Sequence, residues 1–213
     1  MSHCAFPGKP QMRVLRSSKM CKSQMMAQPA IRLIISQFMQ KRAVFLDRDG
    51  TLMEEVEYCD DPARVRVLPG VREALERLKA AGYLTIVITN QSGIGRGLFT
   101  DEQYRAVEAE FIRQIGRKSI DATYYCPDAP GVLSSRRKPE PGMVSEAALE
   151  FDIDLRNSFF VGDKAADIEC GRRAGTRTIL VLTGYGREQQ CEPDFVTEDL
   201  PAAAQLVLQT DDL

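Results

Sequence analysis

Ala43-Val44-Phe45-Leu46-Asp47-Arg48-Asp49-Gly50-Thr51 sets four apolar residues directly before two carboxylates and a glycine. A short apolar run that stops at charge reads as a strand buried on both faces, as in a parallel sheet. The same form returns along the chain. Leu84–Ile88 is a continuous run rich in β-branched residues, followed by Thr89-Asn90. Ala122–Tyr125 reads as a third strand, Ser158–Val161 as a fourth that ends at Gly162-Asp163, and Thr178–Leu182 as a fifth, with Phe195-Val196 as an edge strand.

Helices fill the intervals. Pro69-Gly70 opens one whose Val71, Ala74, Leu75 and Leu78 share a face at helical spacing, and Gly82 closes it. Thr100 and Gln103 form a capping box for the next. Pro141 starts a helix that runs through Phe151; others span Ala165–Ala174 and Pro201–Leu208. Alternating β and α units predict an α/β fold: a doubly wound, mostly parallel, Rossmann-like sheet with helices on both faces. Such sheets bind ligands at the carboxyl ends of their strands. That rule selects Asp47 and Asp49, Thr89-Asn90, and Gly162-Asp163. Only a short flap and one helix fit between Asp49 and Thr89, and one helix, one strand and a loop between Thr89 and Lys138. No large cap domain is expected.

The chain has 213 residues with 44% hydrophobic and 27% charged content, enough for one domain with a real core. Its charge is asymmetric. Residues 1–46 hold no Asp or Glu and eight Lys or Arg, leaving 20 basic against 30 acidic residues from Asp47 onward. A body near −10 argues against a nucleic-acid partner. Six scattered cysteines predict reduced thiols in a cytoplasmic protein, and the single histidine, His3, excludes histidine-based catalysis in the body. No apolar run approaches the ~20 residues of a membrane span. A monomer is expected. Residues 1–38 are Met-, Ser- and Arg-rich and acid-poor, as in an organelle transit peptide, or follow from a gene start placed upstream of Met39. The second is favoured, because the catalytic domain, residues 39–213, starts directly after it. The extension is expected to be disordered and dispensable.

Four clusters carry chemistry. Asp47 and Asp49 lie two positions apart on the same side of an extended chain and together offer hard oxygen ligands suited to magnesium. A surface acidic turn fits a bare D-x-D-G equally well. A calcium loop does not, since Gly50 is not at its sixth position and Tyr58 stands where its last Glu belongs. Thr89 ends a strand before the glycine-rich Ser92-Gly93-Ile94-Gly95-Arg96-Gly97, a loop able to present a hydroxyl and backbone N–H groups to phosphate. Lys138 precedes Pro139 and is biased to extended geometry ahead of a helix, where its charge can meet a phosphoryl group. Asp163 ends a strand as a further metal ligand, with Asp167 one helical turn on. Asp167 reads either as a brace for the site or as an acid complementing the helix dipole.

In this order and at strand ends, D-x-D-G-T, the strand-end Thr, Lys-Pro and G-D-x-x-x-D resemble the haloacid dehalogenase superfamily, from Asp47 to Asp167. The resemblance implies that Asp47 attacks phosphorus, that Asp49 protonates the leaving alkoxide and then activates water, and that Thr89 and Lys138 hold phosphoryl oxygens. It implies Mg2+ on Asp47, the Asp49 carbonyl and Asp163. In finer detail FLDRDGTL (45–52), TNQSGIGRG (89–97), YYCP (124–127), RKPEPGM (137–143) and VGDKAADI (161–168) resemble the D-glycero-D-manno-heptose 1,7-bisphosphate 7-phosphatase family, which makes precursors of surface lipopolysaccharide. By that resemblance Glu55, Val56, Glu57, Tyr58, Asn90, Gln91 and Ser92 would contact a sugar bisphosphate, Arg137 would grip its second phosphate, and Lys164 would lie beside it. Many relatives hold a structural zinc through C-x-H and C-x-C. Here Cys126 survives, but Asp128, Ser134 and Arg136 replace the other ligands, so no zinc is expected. Histidinol-phosphate phosphatase is the nearest alternative; a polynucleotide 3′-phosphatase and a non-catalytic phospholigand-binding protein are more distant ones.

Overall fold

A computed structural model of the chain describes Met1 and residues 40–210. The expectation for the extension at residues 1–38 lies outside the described residues, Met1 apart. The sheet has six strands: β1 (Ala43–Leu46), β2 (Leu84–Asn90), β3 (Ala122–Cys126), β4 (Phe159–Gly162), β5 (Arg177–Val181) and β6 (Phe195–Thr197). They lie in the order β3-β2-β1-β4-β5-β6. Every pairing is parallel, beyond the mostly parallel sheet expected. The helices are α1 (Val71–Ala80), α2 (Asp101–Ile115), α3 (Gly142–Phe151), α4 (Ala165–Ala174) and α5 (Leu200–Thr210), with a single turn at Ser92–Gly95.

Central strands must be apolar on both faces, and β1 is wholly buried. Val44 and Leu46 point into one core with Val71, Leu75 and Leu78 of α1, Val107 and Phe111 of α2, and Ala203 and Val207 of α5. Ala43 and Phe45 point into the other core, with Met143, Val144 and Ala147 of α3 and Cys170 of α4. The expected helices on both faces are therefore present. The capping box at Thr100 and Gln103 forms in both directions.

Element ends differ from expectation by one or two residues. β2 runs on through Thr89 and Asn90, because β3 pairs with both. Pro141 caps α3 instead of belonging to it, since the Gly142 N–H donates to the Ser135 carbonyl. The region after Asp49 is a compact flap. Gly50 N–H donates to the Met53 carbonyl, Glu54 N–H donates to the Arg66 carbonyl, and Pro62–Arg64 forms one turn of 3-10 helix.

The strand order reverses between β1 and β4, whose neighbours on their outer sides are β2 and β5. A crevice opens at such a switch point. Asp47 follows β1 and Asp163 follows β4, so the two carboxylates flank it.

Candidate active site

Asp47 begins as the next residue after a buried strand, and its N–H still donates to the Val161 carbonyl of β4 at 3.0 Å. Sheet pairing thus fixes its backbone. Its Oδ1 accepts from Lys138 Nζ at 2.6 Å. Lys138 Nζ also donates to Asp167 Oδ1 at 2.7 Å and to the Ile88 carbonyl at 2.7 Å. The ammonium therefore has all three of its protons engaged and sits between two carboxylates. Lys138 is 5% exposed, Asp47 4% and Asp167 1%. Burial alone would raise the Asp47 pKa, but Lys138 and Lys164 outweigh it and hold the group below its ordinary value. Asp47 stays an anion, the form a nucleophile needs.

Asp167 acts as a brace as well as a helix-start acid. Oδ1 accepts from Lys138, and Oδ2 accepts from the Lys164 N–H at 3.0 Å. Asp163 is different. It is fully buried, its Oδ2 accepts the Tyr185 N–H at 2.9 Å, and its Oδ1 has no partner. Burial, and then the nearby charge of Asp47, push it up to about 8. A Cβ at Gly50 would stand 2.2 Å from Asp163 Oδ2, and one at Gly184 would stand equally close. Glycine is required at both positions for the loops to close around this carboxylate, and Gly50 also has a φ of +87°.

Among the described residues, Asp47, Asp163 and Asp167 form a group whose carboxylate oxygens approach within 4.8 Å of one another. With both Asp167 oxygens engaged, Asp47 and the orphaned Oδ1 of Asp163 are the side-chain ligands available to a cation. The donors are all oxygen, which suits magnesium.

Asp49 is held from two sides. Arg48 donates from Nε to Oδ1 at 3.2 Å and from Nη2 to both oxygens at 3.0 Å. Gln91 Nε2 donates to Oδ2 at 2.8 Å and to Thr89 Oγ1 at 2.8 Å. Thr89 thus sits at the end of β2, as the sequence predicts, and is linked to Asp49 through Gln91. Asn90 does something its sequence does not announce. Its Oδ1 accepts the Lys138 N–H at 3.0 Å and its Nδ2 donates to the Lys138 carbonyl at 3.1 Å. It fixes the Lys138 backbone while lining the site.

A recess of about 50 Å³ is walled by Asp47, Asp49, Thr89, Asn90, Lys138, Lys164, Ala166 and Asp167. Beside it a cavity of about 340 Å³ is lined by all nine residues expected to contact substrate: Glu55, Val56, Glu57, Tyr58, Asn90, Gln91, Ser92, Arg137 and Lys164. Lys164 Nζ pairs with Glu55 Oε2 of the flap at 2.6 Å and lies 5.0 Å from the Tyr185 ring centre. Arg137 Nη1 donates to the Asp128 carbonyl at 2.9 Å.

Comparison with known proteins gives the chain its family. The HAD-hydrolase-like family model matches residues 135–203. The D-glycero-D-manno-heptose-1,7-bisphosphate 7-phosphatase of Thermosynechococcus vestitus is 37% identical, over 79% of this chain and 96% of that protein. The D-glycero-beta-D-manno-heptose-1,7-bisphosphate 7-phosphatase of Pasteurella multocida is 38% identical, over 80% and 92%. The crystal structure of D,D-heptose 1,7-bisphosphate phosphatase from B. bronchiseptica, complexed with magnesium and phosphate, superposes with a TM-score of 0.74 at 34% identity, over 79% of this chain and 99% of that one. The chain belongs to this phosphatase family of HAD-like hydrolases. Its phosphatase fold therefore has a known precedent at good coverage, and the non-catalytic reading of the sequence loses its ground. No described helix is long and apolar enough to cross a membrane.

The loop around Cys126 and Ser134 is held by its own side chains. Cys126 Sγ donates to Asp128 Oδ2 at 3.4 Å and lies 3.7 Å from Ser134 Oγ. Ser134 Oγ in turn accepts the N–H groups of Arg136 and Arg137 at 3.3 and 3.2 Å. Arg136 pairs with Glu146 of α3 at 3.0 Å. A hydroxyl and a guanidinium do not complete a zinc tetrahedron.

Three further residues of the site escape a sequence reading. Arg48 stands between two aspartates and looks solvent-facing, yet it is 1% exposed. Glu108 and Tyr104 reach it from α2, and nothing in local spacing links that helix to the first strand.

Proposed function

We propose that the chain is a magnesium-dependent phosphomonoester hydrolase that removes the 7-phosphate of D-glycero-D-manno-heptose 1,7-bisphosphate through an aspartyl-phosphate on Asp47. The observation that carries the reading is the buried Asp47–Lys138–Asp167 arrangement at a recess of phosphoryl size, opening on a larger polar cavity.

The Asp47 carboxylate forms a bond to phosphorus as the bond from phosphorus to the sugar oxygen breaks. Asp49, as its acid, gives its proton to the departing alkoxide. Water then attacks the phosphorus of the aspartyl-phosphate, Asp49 takes a proton from that water, and the bond from Asp47 to phosphorus breaks to release inorganic phosphate. Thr89 donates to an equatorial phosphoryl oxygen, and Lys138 turns to another the proton it shares with Asp47 in the free site, while Asp167 and Asn90 hold it in place. Asp47, Asp163 and the Asp49 carbonyl would hold magnesium, which would supply positive charge to offset that of the nucleophile and the phosphoryl group. Arg137 and Lys164 place the rest of the substrate, with Arg137 on the phosphate that is kept. Its planar fork suits that task, and its bond to the Asp128 carbonyl orients it.

Phosphate release from heptose bisphosphate, histidinol phosphate and a 3′-phosphorylated oligonucleotide, each with magnesium, tests the assignment. Preference for the heptose bisphosphate by kcat/KM is expected. Preference for either other substrate overturns the substrate assignment, and no release from any of them overturns the reaction class.

A further inference from the structure

Among the described residues Arg48 is one of the largest fully buried side chains, and it is a charged one. Removing a guanidinium from water costs several kcal/mol unless partners restore its hydrogen bonds, and an apolar residue would fill the same space without that cost. Its position next to the nucleophile calls for a reason. The guanidinium touches Asp49 through Nε and Nη2 at 3.0–3.2 Å. Its remaining terminal nitrogen, Nη1, faces Glu108 Oε2 at 3.4 Å. Glu108 is itself fixed by Thr123 of β3, whose Oγ1 donates to Oε1 at 2.8 Å. The guanidinium carbon lies 5.4 Å from the centre of the Tyr104 ring, and the Tyr104 ring packs tilted at 34° against Tyr125, 4.4 Å between ring centres. A chain of contacts therefore runs from β3 and α2 through Arg48 to the carboxylate of Asp49.

We propose that Arg48, anchored by Glu108, is a positioning residue that holds the Asp49 carboxyl in line with the leaving oxygen. The inference rests on the reading of Asp49 as acid and base. A single Asp has two free side-chain torsions, and a proton donor must lie within hydrogen-bond reach of the atom it serves. Gln91 alone touches one oxygen of Asp49, which leaves the plane of the carboxyl free to turn. Arg48 contacts both oxygens and removes that freedom. A lysine places one point charge there and cannot span both oxygens.

Leaving-group dependence in the first half-reaction separates positioning from mere packing. An alkoxide needs a proton to leave, whereas 4-nitrophenolate leaves without one. Rapid-quench measurement of leaving-group release under single turnover should show Arg48→Gln slowed about 100-fold on the heptose bisphosphate and less than about 5-fold on 4-nitrophenyl phosphate. Arg48→Lys should fall between this variant and wild type. Glu108→Gln leaves the Arg48 side chain intact but removes the charge that anchors it, and it should show the same selectivity at about 10-fold; it serves also if Arg48→Gln does not fold. Equal losses on both substrates, or no loss on either, in Glu108→Gln and any folded Arg48 variant overturn the proposal. Asp49→Asn is the reference: if it lacks the selectivity, the acid role of Asp49 fails; if it shows it and the Arg48 and Glu108 variants do not, the positioning role fails.

Discussion

The phosphoryl recess and the cavity beside it share a wall but are built on different terms. In the recess Asp47, Lys138 and Asp167 are buried, as is Asp163 of the same carboxylate group, and sheet pairing or short hydrogen bonds fix each one. In the cavity Glu55, Val56, Tyr58, Ser92, Arg137 and Lys164 are half-buried and Glu57 is exposed. They come from a flap and two loops. Buried charges in fixed partnerships keep one geometry, because breaking a pair leaves an uncompensated charge in a dry interior. Loop residues with one partner each can change without disturbing the fold. On the proposed function, the chemistry belongs to the strand ends and the choice of sugar to the loops.

The contrast can be broken most severely at Asp47. Asp47→Asn should lower turnover by more than about 1,000-fold at saturating magnesium, with secondary structure intact. Steady-state phosphate release with circular dichroism checks both parts. Lys138→Met comes next. It should cost about 100-fold or more in kcat and also about 3–5 kcal/mol in stability, since Asp47 and Asp167 would remain buried without their cation. Denaturant unfolding measures the second loss.

Asp163 offers a pH test. Its carboxyl is raised from 3.8 to about 8 in the metal-free fold. A carboxyl raised on folding contributes stability that is full below its unfolded value and is lost as pH climbs through its folded value. Metal-free protein should therefore lose thermal stability on going from about pH 4 toward pH 8, and magnesium should restore it by binding the folded form. Asp163→Asn should flatten that slope and remove most of the magnesium-dependent rise in Tm; an unchanged rise would place the cation elsewhere.

Changes in the cavity should be milder and should fall on binding. Arg137→Ala is expected to raise KM for the bisphosphate about 10-fold, near 1.4 kcal/mol, with kcat within about 2-fold. On a heptose monophosphate the same variant should match wild type, which separates a phosphate contact from general disturbance. Smallest of all is Cys126→Ser. The loop depends on several weak bonds around Ser134, so activity should stay within about 2-fold of wild type, and a zinc chelator should leave Tm unchanged.

The recess was more legible in the sequence than the cavity, for a physical reason. A parallel strand buried on both faces is an unbroken apolar run, so its end is marked by the first charge, and Asp47 and Asp163 stand at such ends. Thr89 was legible one residue past a run of the same kind. Asp167 left two readings open, and its bonds to Lys138 and to the Lys164 N–H satisfy both at once. Arg48 was not legible, because an arginine flanked by acids has the pattern of a surface turn. Only the approach of α2, 60 positions along the chain, buries it and supplies Glu108. The family resemblance implies a substrate contact for Asn90, which does line the cavity; its amide also engages the main chain of Lys138, 48 residues away. Local patterns carry strand ends well and carry side-chain partnerships between distant elements poorly.

The role of Asp47 can be read on the protein itself. Wild type is mixed with heptose bisphosphate and magnesium, quenched in acid during turnover, reduced with borohydride and mapped by peptide mass spectrometry. An acyl phosphate is reduced to the alcohol, so homoserine should replace aspartate at position 47 and only there, and only when substrate was present. Homoserine at position 49 instead, or at neither position under conditions of full activity, would contradict Asp47 as the nucleophile.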